Sequence, residues 1–452
     1  MENKTTWAGA TARQISRAVR RGDASATQVV ADHLERIAVT DPSLNAFRVV
    51  RGGEAITEAE KVDDQDDLAN LPLAGVPVAV KENTAVAGLP VWSGSAAARS
   101  PVAEEDHEVV RRLRGAGAVV IGLTKMPEMG LWAVTDDEDD ATRNPWDLDR
   151  TPGGSSGGAA AAVAAGLVPI AQCNDGLGSI RIPAACCGLV GLKPGRGVVP
   201  SGLGVTGWYG LTENGVLTTT VADAVLGFSV LAGREPARLV EPSGLRIGVS
   251  LRSPVAGIRP DEPNVSAVTT ASKLLVRAGH STVRADPYYP VKLGLGTFAT
   301  WFGAAYQEAA GLPFDRLQPR TRGHIRLGRL TWRSEPVRQR QRDRWRQQSI
   351  DFFADRSIDL LVTPALAAAP PPAVQYSGAS WWRNMVVNLR YAPYAAPWNL
   401  AGLPAIVVPV GVRPDGLPLG VQLVGPPDSE LLLLAVAGQF EVLNPWQRHA
   451  FG

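Results

Sequence analysis

Two serines, each set in a glycine turn, stand 24 residues apart in this chain: Ser155 in GGSSGG (153–158) and Ser179 in DGLGSIR (175–181). Glycine gathers around a serine where other backbone, or a substrate, must approach it closely. A lysine, Lys81, closes the apolar run GVPVAVK. Only 7 of the 45 basic residues are lysines, so one at the end of an apolar strand is conspicuous. A serine hydroxyl is a weak nucleophile until a base takes its proton. A lysine can be that base only when neutral, and its ordinary pKa near 10.4 forbids this at pH 7. Burial among Val76, Val78 and Val80, away from carboxylates, would lower that pKa. The neighbouring Glu82 would point to the opposite face of a strand. The five histidines (His33, His107, His280, His324, His449) are remote from both serine turns. These residues therefore predict a serine hydrolase that works without histidine.

Two other patterns match and are set aside. Gly153–Gly157 satisfies G-x-S-x-G, but a nucleophile elbow must follow a core strand. Here the approach is RNPWDLDRTP, polar and broken by Pro145 and Pro152. Gly202–Gly207 matches G-x-G-x-x-G, but a turn-like WYGLTENG follows it instead of a helix. GGSSGG leads into an alanine-rich segment, so its serines are placed at a helix N-terminus, where unpaired N–H groups can hold negative charge. The Asp175–Ser179 turn offers a second set of N–H groups.

Alternating elements must position these turns. Residues 9–40 read as two helices, the second opening with a capping box at Ser25 and Gln28. Strand patterns cover 72–80, 118–124, 245–250, 360–364, 405–410 and 420–425, with helices at 106–117 and 157–165. Such alternation predicts an α/β fold, a large mixed, mostly parallel twisted sheet covered on both faces by helices. The Pro-rich 364–374 stretch reads as a rigid connector. Eleven arginines crowd 316–346, either as a solvated helical face paired with the acidic clusters 104–108 and 136–140, or as a funnel for anions.

The 452 residues are 45% hydrophobic, enough to fill a large core. A net charge of +1 argues against a nucleic-acid partner, whose binding rests on phosphate neutralisation. Three cysteines, two of them adjacent, form neither a disulfide framework nor a zinc site. The start, MENKTTWAGA, lacks a signal-peptide core, and no apolar run is long enough to span a bilayer. A cytoplasmic protein is expected, with no membrane or nucleic-acid partner, no metal and no cofactor. A homodimer is the default assembly.

GVPVAVKEN, GGSSGG, DGLGSIRIPAACCGLVGLKP and the closing NLAGLPAIVVPVGVRPDGLPLGVQLVG together resemble the amidase signature family. The resemblance runs over nearly the whole chain. It implies a single domain over 1–452, with helices 9–40 packed on it and the signature core at about 72–200. It further implies amide hydrolysis through an acyl-serine, with Ser179 as nucleophile, Ser155 as proton bridge after a cis Gly154–Ser155 peptide, and Lys81 as base. The N–H groups of Gly176, Leu177, Gly178 and Ser179 would form the oxyanion hole, braced by Ser156, Asp175 and Arg181. Three positions depart from the family's usual wording: Leu177 stands where a glycine is common, Asn174 for threonine and Glu82 for aspartate. Two rivals are a glutamine amidotransferase subunit or other acyl transferase, and a catalytically silent binding protein. Ile182 stands where the amidotransferase subunit tends to have glutamine. The expected partner is a small-molecule amide. Pocket walls for a bulky or aromatic acyl group are sought among Trp208, Tyr209, Trp301, Trp381 and Trp382, with Trp92, Phe302 and Trp398 as further candidates.

Overall fold

The computed structural model describes residues 6–97, 100–204 and 207–451, so Val205 and Thr206 of the Gly202–Gly207 run lie outside it. Its centre is one eleven-stranded sheet in the order β1-β3-β2-β4-β6-β5-β10-β11-β9-β7-β8. The strands are β1 Phe47–Val50, β2 Pro77–Lys81, β3 Val119–Thr124, β4 Ile170–Asp175, β5 Val190–Lys193, β6 Glu213–Thr218, β7 Arg246–Val249, β8 Ser281–Arg284, β9 Leu360–Pro364, β10 Ala405–Val412 and β11 Pro418–Val424. All six predicted strands are present, and helices pack on the sheet. Its hand of assembly differs from expectation in one respect. Six of the ten strand pairings are antiparallel and four parallel, so the sheet is mixed but not mostly parallel. At one of the antiparallel pairings the cause is local chain reversal. β10 turns directly into β11 through Arg413–Gly416, where Gly416 takes a left-handed φ of 84° and its N–H bonds the Arg413 carbonyl. A reversal this short can join only antiparallel neighbours.

The parallel part matters most for the site. β2 and β4 are parallel neighbours, with Val78 opposite Ile170 and Val80 opposite Gln172. Their carboxyl ends therefore lie side by side, the place where open α/β sheets hold ligands. Lys81 ends β2 and Asp175 ends β4. The helix Gly157–Ala164 is buried along its whole length, which explains its composition of alanine and glycine. A Cβ on Gly158 would stand 2.4 Å from the Ala46 carbonyl oxygen and 2.6 Å from the Lys125 nitrogen.

The N-terminal helices run over Ala12–Arg21 and Ala26–Leu44. Ser25 accepts the Gln28 N–H as predicted, and a full reciprocal box forms one helix earlier, between Thr11 and Gln14. The Pro-rich connector ties itself to the approach to Ser155: Thr151 N–H donates to Pro371 O, and Ala373 N–H to Asp149 O. The arginine-rich segment is in part the solvated face expected of it, with Arg316, Arg326, Arg329, Arg333, Arg340 and Arg344 exposed and Arg320 paired into the 136–140 cluster, and in part a buried brace. Arg320 is buried against Asp136 at 2.8 Å, and Arg338 and Arg342 are buried beside Glu335 and Thr300. Its other described arginines stay outside the cavities at Ser179. It is a brace with a wet side. The three cysteines are buried and free. Among the described residues no helix is long and apolar enough to cross a membrane.

Candidate active site

Lys81 is fully buried, and its Nζ stands 2.7 Å from Ser155 Oγ. The same nitrogen lies 3.0 Å from Asn174 Oδ1 and 3.4 Å from the Asn174 carbonyl oxygen. All three contacts are hydrogen bonds within reach of the amine, to Ser155 Oγ and to the two oxygens of Asn174. The Asn174 side chain is held in turn, its Nδ2 donating to Asn83 Oδ1 at 2.7 Å. Burial lowers the Lys81 pKa to about 8, with Asp175 and Glu82 pulling it partly back. Cys173 carries no opposing charge there, because burial pushes its own thiol up to about 12. Glu82 does turn away, as strand geometry requires, and accepts from Arg48 at 2.8 Å and from the Met126 N–H at 2.9 Å.

Ser155 follows a cis peptide from Gly154. The two serine turns touch, the Ser156 N–H donating to the Ser179 carbonyl at 3.3 Å. The N-terminus of the helix after GGSSGG is not open to an anion, contrary to expectation. Its Gly157 N–H donates to Thr135 Oγ1 and its Gly158 N–H to the Lys125 carbonyl.

The strand–turn–helix absent before Ser155 is found at Ser179. β4 runs straight into the Asp175–Ser179 turn, and the helix Arg181–Cys187 follows. Asp175 organises this turn, accepting from the N–H groups of Gly178 (2.6 Å) and Ile180 (3.1 Å). The Gly178 N–H is therefore unavailable to an oxyanion, which corrects the four-donor expectation. The N–H groups of Gly176, Leu177 and Ser179 have no partner among the described residues. Gly178 itself is required: its φ is 128°, and a Cβ would lie 2.6 Å from Ile182 Cδ1.

Behind the turn is a buried ion pair. Arg181 grips Asp175 with Nε at 2.9 Å and Nη2 at 3.0 Å, and donates from Nη1 to Ala395 O and Gln422 Oε1. Asn399 Nδ2 donates to both the carbonyl and the carboxylate of Asp175. Burial alone would raise the Asp175 pKa, but the Arg181 charge and hydrogen bonds, with Lys193 and Asn399, hold it far below the usual range. Ser156 Oγ lies 3.4 Å from the Asn174 carbonyl.

Two cavities meet at Ser179, Gly130 and Trp208. One, about 960 Å³, is walled by Leu177, Ile182, Trp132, Trp208, Tyr289, Phe298, Trp301 and other mostly apolar residues, with no charged side chain among the described ones. The other, about 810 Å³, is more polar and contains Ser155, Asn83, Asn174, Thr212 and Glu308. Ser155 opens on the polar cavity and not on the apolar one.

A family model described as Amidase matches residues 28–434. The chain belongs to the amidase family. This amidase is 40% identical over 451 residues to the putative amidase AmiB2 of Mycobacterium tuberculosis, covering 97% of each chain. It is 32% identical to an acylamidase of Rhodococcus erythropolis, over 98% of this chain and 97% of that one. Among solved structures it is similar to 6-aminohexanoate cyclic dimer hydrolase, with a TM-score of 0.87, 29% identity and 98% coverage of both chains. The amidase is thus a hydrolase of carboxylic amides, acting on C–N bonds other than peptide bonds.

Of the predicted wall residues, Trp208 and Trp301 line the apolar cavity. Tyr209, Trp381 and Trp382 do not. The Tyr209 hydroxyl donates to the Gly303 carbonyl. Trp381 donates to His324 Nδ1 and stacks edge-on with Trp382, which is exposed. The helix they begin does reach the cavity, but only from Met385, Asn388 and Leu389 onward. Sequence reasoning missed Trp132 and Tyr289. Trp132, in a loop between the Lys81 and Ser155 motifs, carries no periodic signal, and only its place between them marks it.

Proposed function

We propose that this amidase cleaves an uncharged, apolar acyl amide through an acyl-Ser179 intermediate, with the acyl group in the apolar cavity and the amine in the polar one. The observation that carries this is Ser179 at the junction of the two cavities, sharing the polar one with Ser155, whose hydroxyl is 2.7 Å from a buried Lys81. The Ser179 proton passes to Ser155 Oγ as Ser155 gives its own to neutral Lys81. Ser179 Oγ then adds to the carbonyl carbon, and the oxyanion is received by the N–H groups of Gly176, Leu177 and Ser179. The C–N bond breaks as Ser155 protonates the nitrogen and recovers a proton from Lys81. Because Ser155 opens only on the polar cavity, the amine leaves by that side. Water enters there, gives its proton to the same relay and adds to the acyl carbon; the acyl–Ser179 bond then breaks as the relay returns that proton to Ser179 Oγ, and the acid is released. Asp175, Arg181 and Ser156 keep the turns in register.

An amidotransferase acting on glutamine fits poorly. Its α-ammonium and α-carboxylate would enter a wall without counter-charges, and burying unpaired charge is strongly unfavourable. Turnover of anilides of apolar acids, compared between the native chain and Ser179→Ala, tests the proposal. Full activity in Ser179→Ala overturns it.

A further inference from the structure

One glycine borders both cavities beside the Ser155 hydroxyl. Gly130 lines the apolar cavity and the polar one, as Ser179 and Trp208 do. It ends the short turn Glu128–Gly130, its N–H donating to the Pro127 carbonyl, with a φ of 68°. A Cβ built there would stand 3.4 Å from Ser155 Oγ, 3.9 Å from Ser155 Cβ and 2.9 Å from the Met126 methyl. No other described atom beyond its chain neighbours comes closer. Met126 and Ser155 both line the polar cavity and not the apolar one. The missing side chain therefore leaves room on the amine side, within contact of the Ser155 oxygen. The left-handed φ favours glycine, yet asparagine takes that conformation too. Backbone shape alone does not demand an empty position.

A proton donor and the nitrogen it serves stand about 3 Å apart. A carbon 3.4 Å from the same oxygen would border that nitrogen and whatever it carries. A primary amide carries only hydrogen there and needs little room. The polar cavity offers about 810 Å³, against the roughly 30 Å³ that one water-sized molecule fills in a liquid. Ammonia would leave most of that space, and its polar wall of Asn83, Thr212 and Glu308, unused. We propose that Gly130 sets the amine preference: the empty position admits a nitrogen with a polar substituent, and the chain cleaves such secondary amides in preference to primary ones. The C–N bond breaks as the Ser155 proton passes to nitrogen, and a primary amine departs through the polar cavity. This inference rests on the acyl-Ser179 proposal and names the amine half of its substrate.

The test is a series of amides of one apolar acid: the primary amide, the N-methylamide and the N-(2-hydroxyethyl)amide. In the native chain kcat/KM should rise along the series. A native chain that turns over the primary amide fastest overturns the proposal, and that result needs no variant. Gly130→Ala and Gly130→Asn then fill the position, the second with a residue that tolerates the left-handed φ. The ratio of kcat/KM, hydroxyethylamide over primary amide, should fall by about tenfold or more in each, the scale on which one added carbon discriminates in a fitted site. The ratio is internal to each protein, so a general loss from strain cancels. Labelling of Ser179 by a fluorophosphonate is read in parallel. Ratios equal in all three proteins, with Ser179 labelled, overturn the Gly130 proposal alone. Failure to label Ser179 in the native chain overturns the acyl-serine proposal beneath it, and this inference with it.

Discussion

A lysine amine with a pKa of about 8 is about one-tenth neutral at pH 7, some 300-fold more than a lysine in water. Burial produces that gain, and Asn174 preserves it by offering neutral acceptors where a carboxylate would restore the charge. The sign for activity follows. In the proposed relay Lys81 can act as base only when deprotonated, so kcat/KM should rise about tenfold per pH unit below 8 and level off above it. Asn174→Asp puts a negative charge at 3.0 Å from Nζ and should move that limb upward by more than one unit. A limb that stays in place in the variant would detach Lys81 from the proton relay. Lys81→Ala and Ser179→Ala should each lower kcat by at least about 10³-fold. Leu177, where glycine is common, projects into the acyl cavity beside Trp208. Leu177→Ala should raise kcat/KM for bulkier acyl groups relative to small ones, and equal change across sizes would remove its selective role.

Between elements, the turn after β4 depends on an ion pair it does not contact water to make. Asp175→Asn leaves Arg181 buried without its counter-charge, which should lower unfolding free energy by about 3–5 kcal/mol in denaturant titration. Close packing makes a second contrast. Gly158→Ala drives a methyl into the Ala46 carbonyl and should destabilise by about 1–3 kcal/mol or more, while Gly53→Ala, in a helix with open space around it, should be neutral or slightly stabilising. Equal stabilities for the two would contradict the packing described. The residues that meet at the site were legible in the chain because glycine crowding and a stranded lysine are composition signals that survive without a structure. β4 was not, since Gln172 and Asn174 alternate with Ala171 and Cys173 and look half-solvated. All four are buried, and the polar pair is inside because Gln172 accepts the Lys81 N–H and donates to Asn214, while Asn174 bonds Lys81 and Asn83. The Arg-Pro-Asp-Gly turn carried the hairpin that makes the sheet antiparallel there, a signal that outweighs the general preference of alternating α/β chains for parallel pairing. Which tryptophans line the cavity was hidden for a different reason: helix Trp381–Tyr391 reaches it one turn past its start, and sequence does not reveal where along its length a helix meets a cavity.

At the scale of the whole molecule, the unbroken sheet joins residues far apart in the chain. β5 and β10 pair across more than two hundred residues, and Asn399 reaches back to the Asp175 turn. The Asp175–Ser179 turn therefore rests on the C-terminal part as much as on its own segment. Heat or denaturant should unfold the chain in one transition, seen alike by far-ultraviolet circular dichroism and tryptophan emission. Two separated transitions would contradict a single domain. In the proposed function the division of space is what matters on this scale: an apolar cavity and a polar one, with Ser179 between them. The most direct test is the pH dependence of phosphonylation by a fluorophosphonate, with the labelled residue located by peptide mass spectrometry. The account predicts a single adduct on Ser179 whose rate of formation climbs from pH 6 and flattens above about 8. A rate flat across that range, or an adduct that persists in Ser179→Ala, would contradict it.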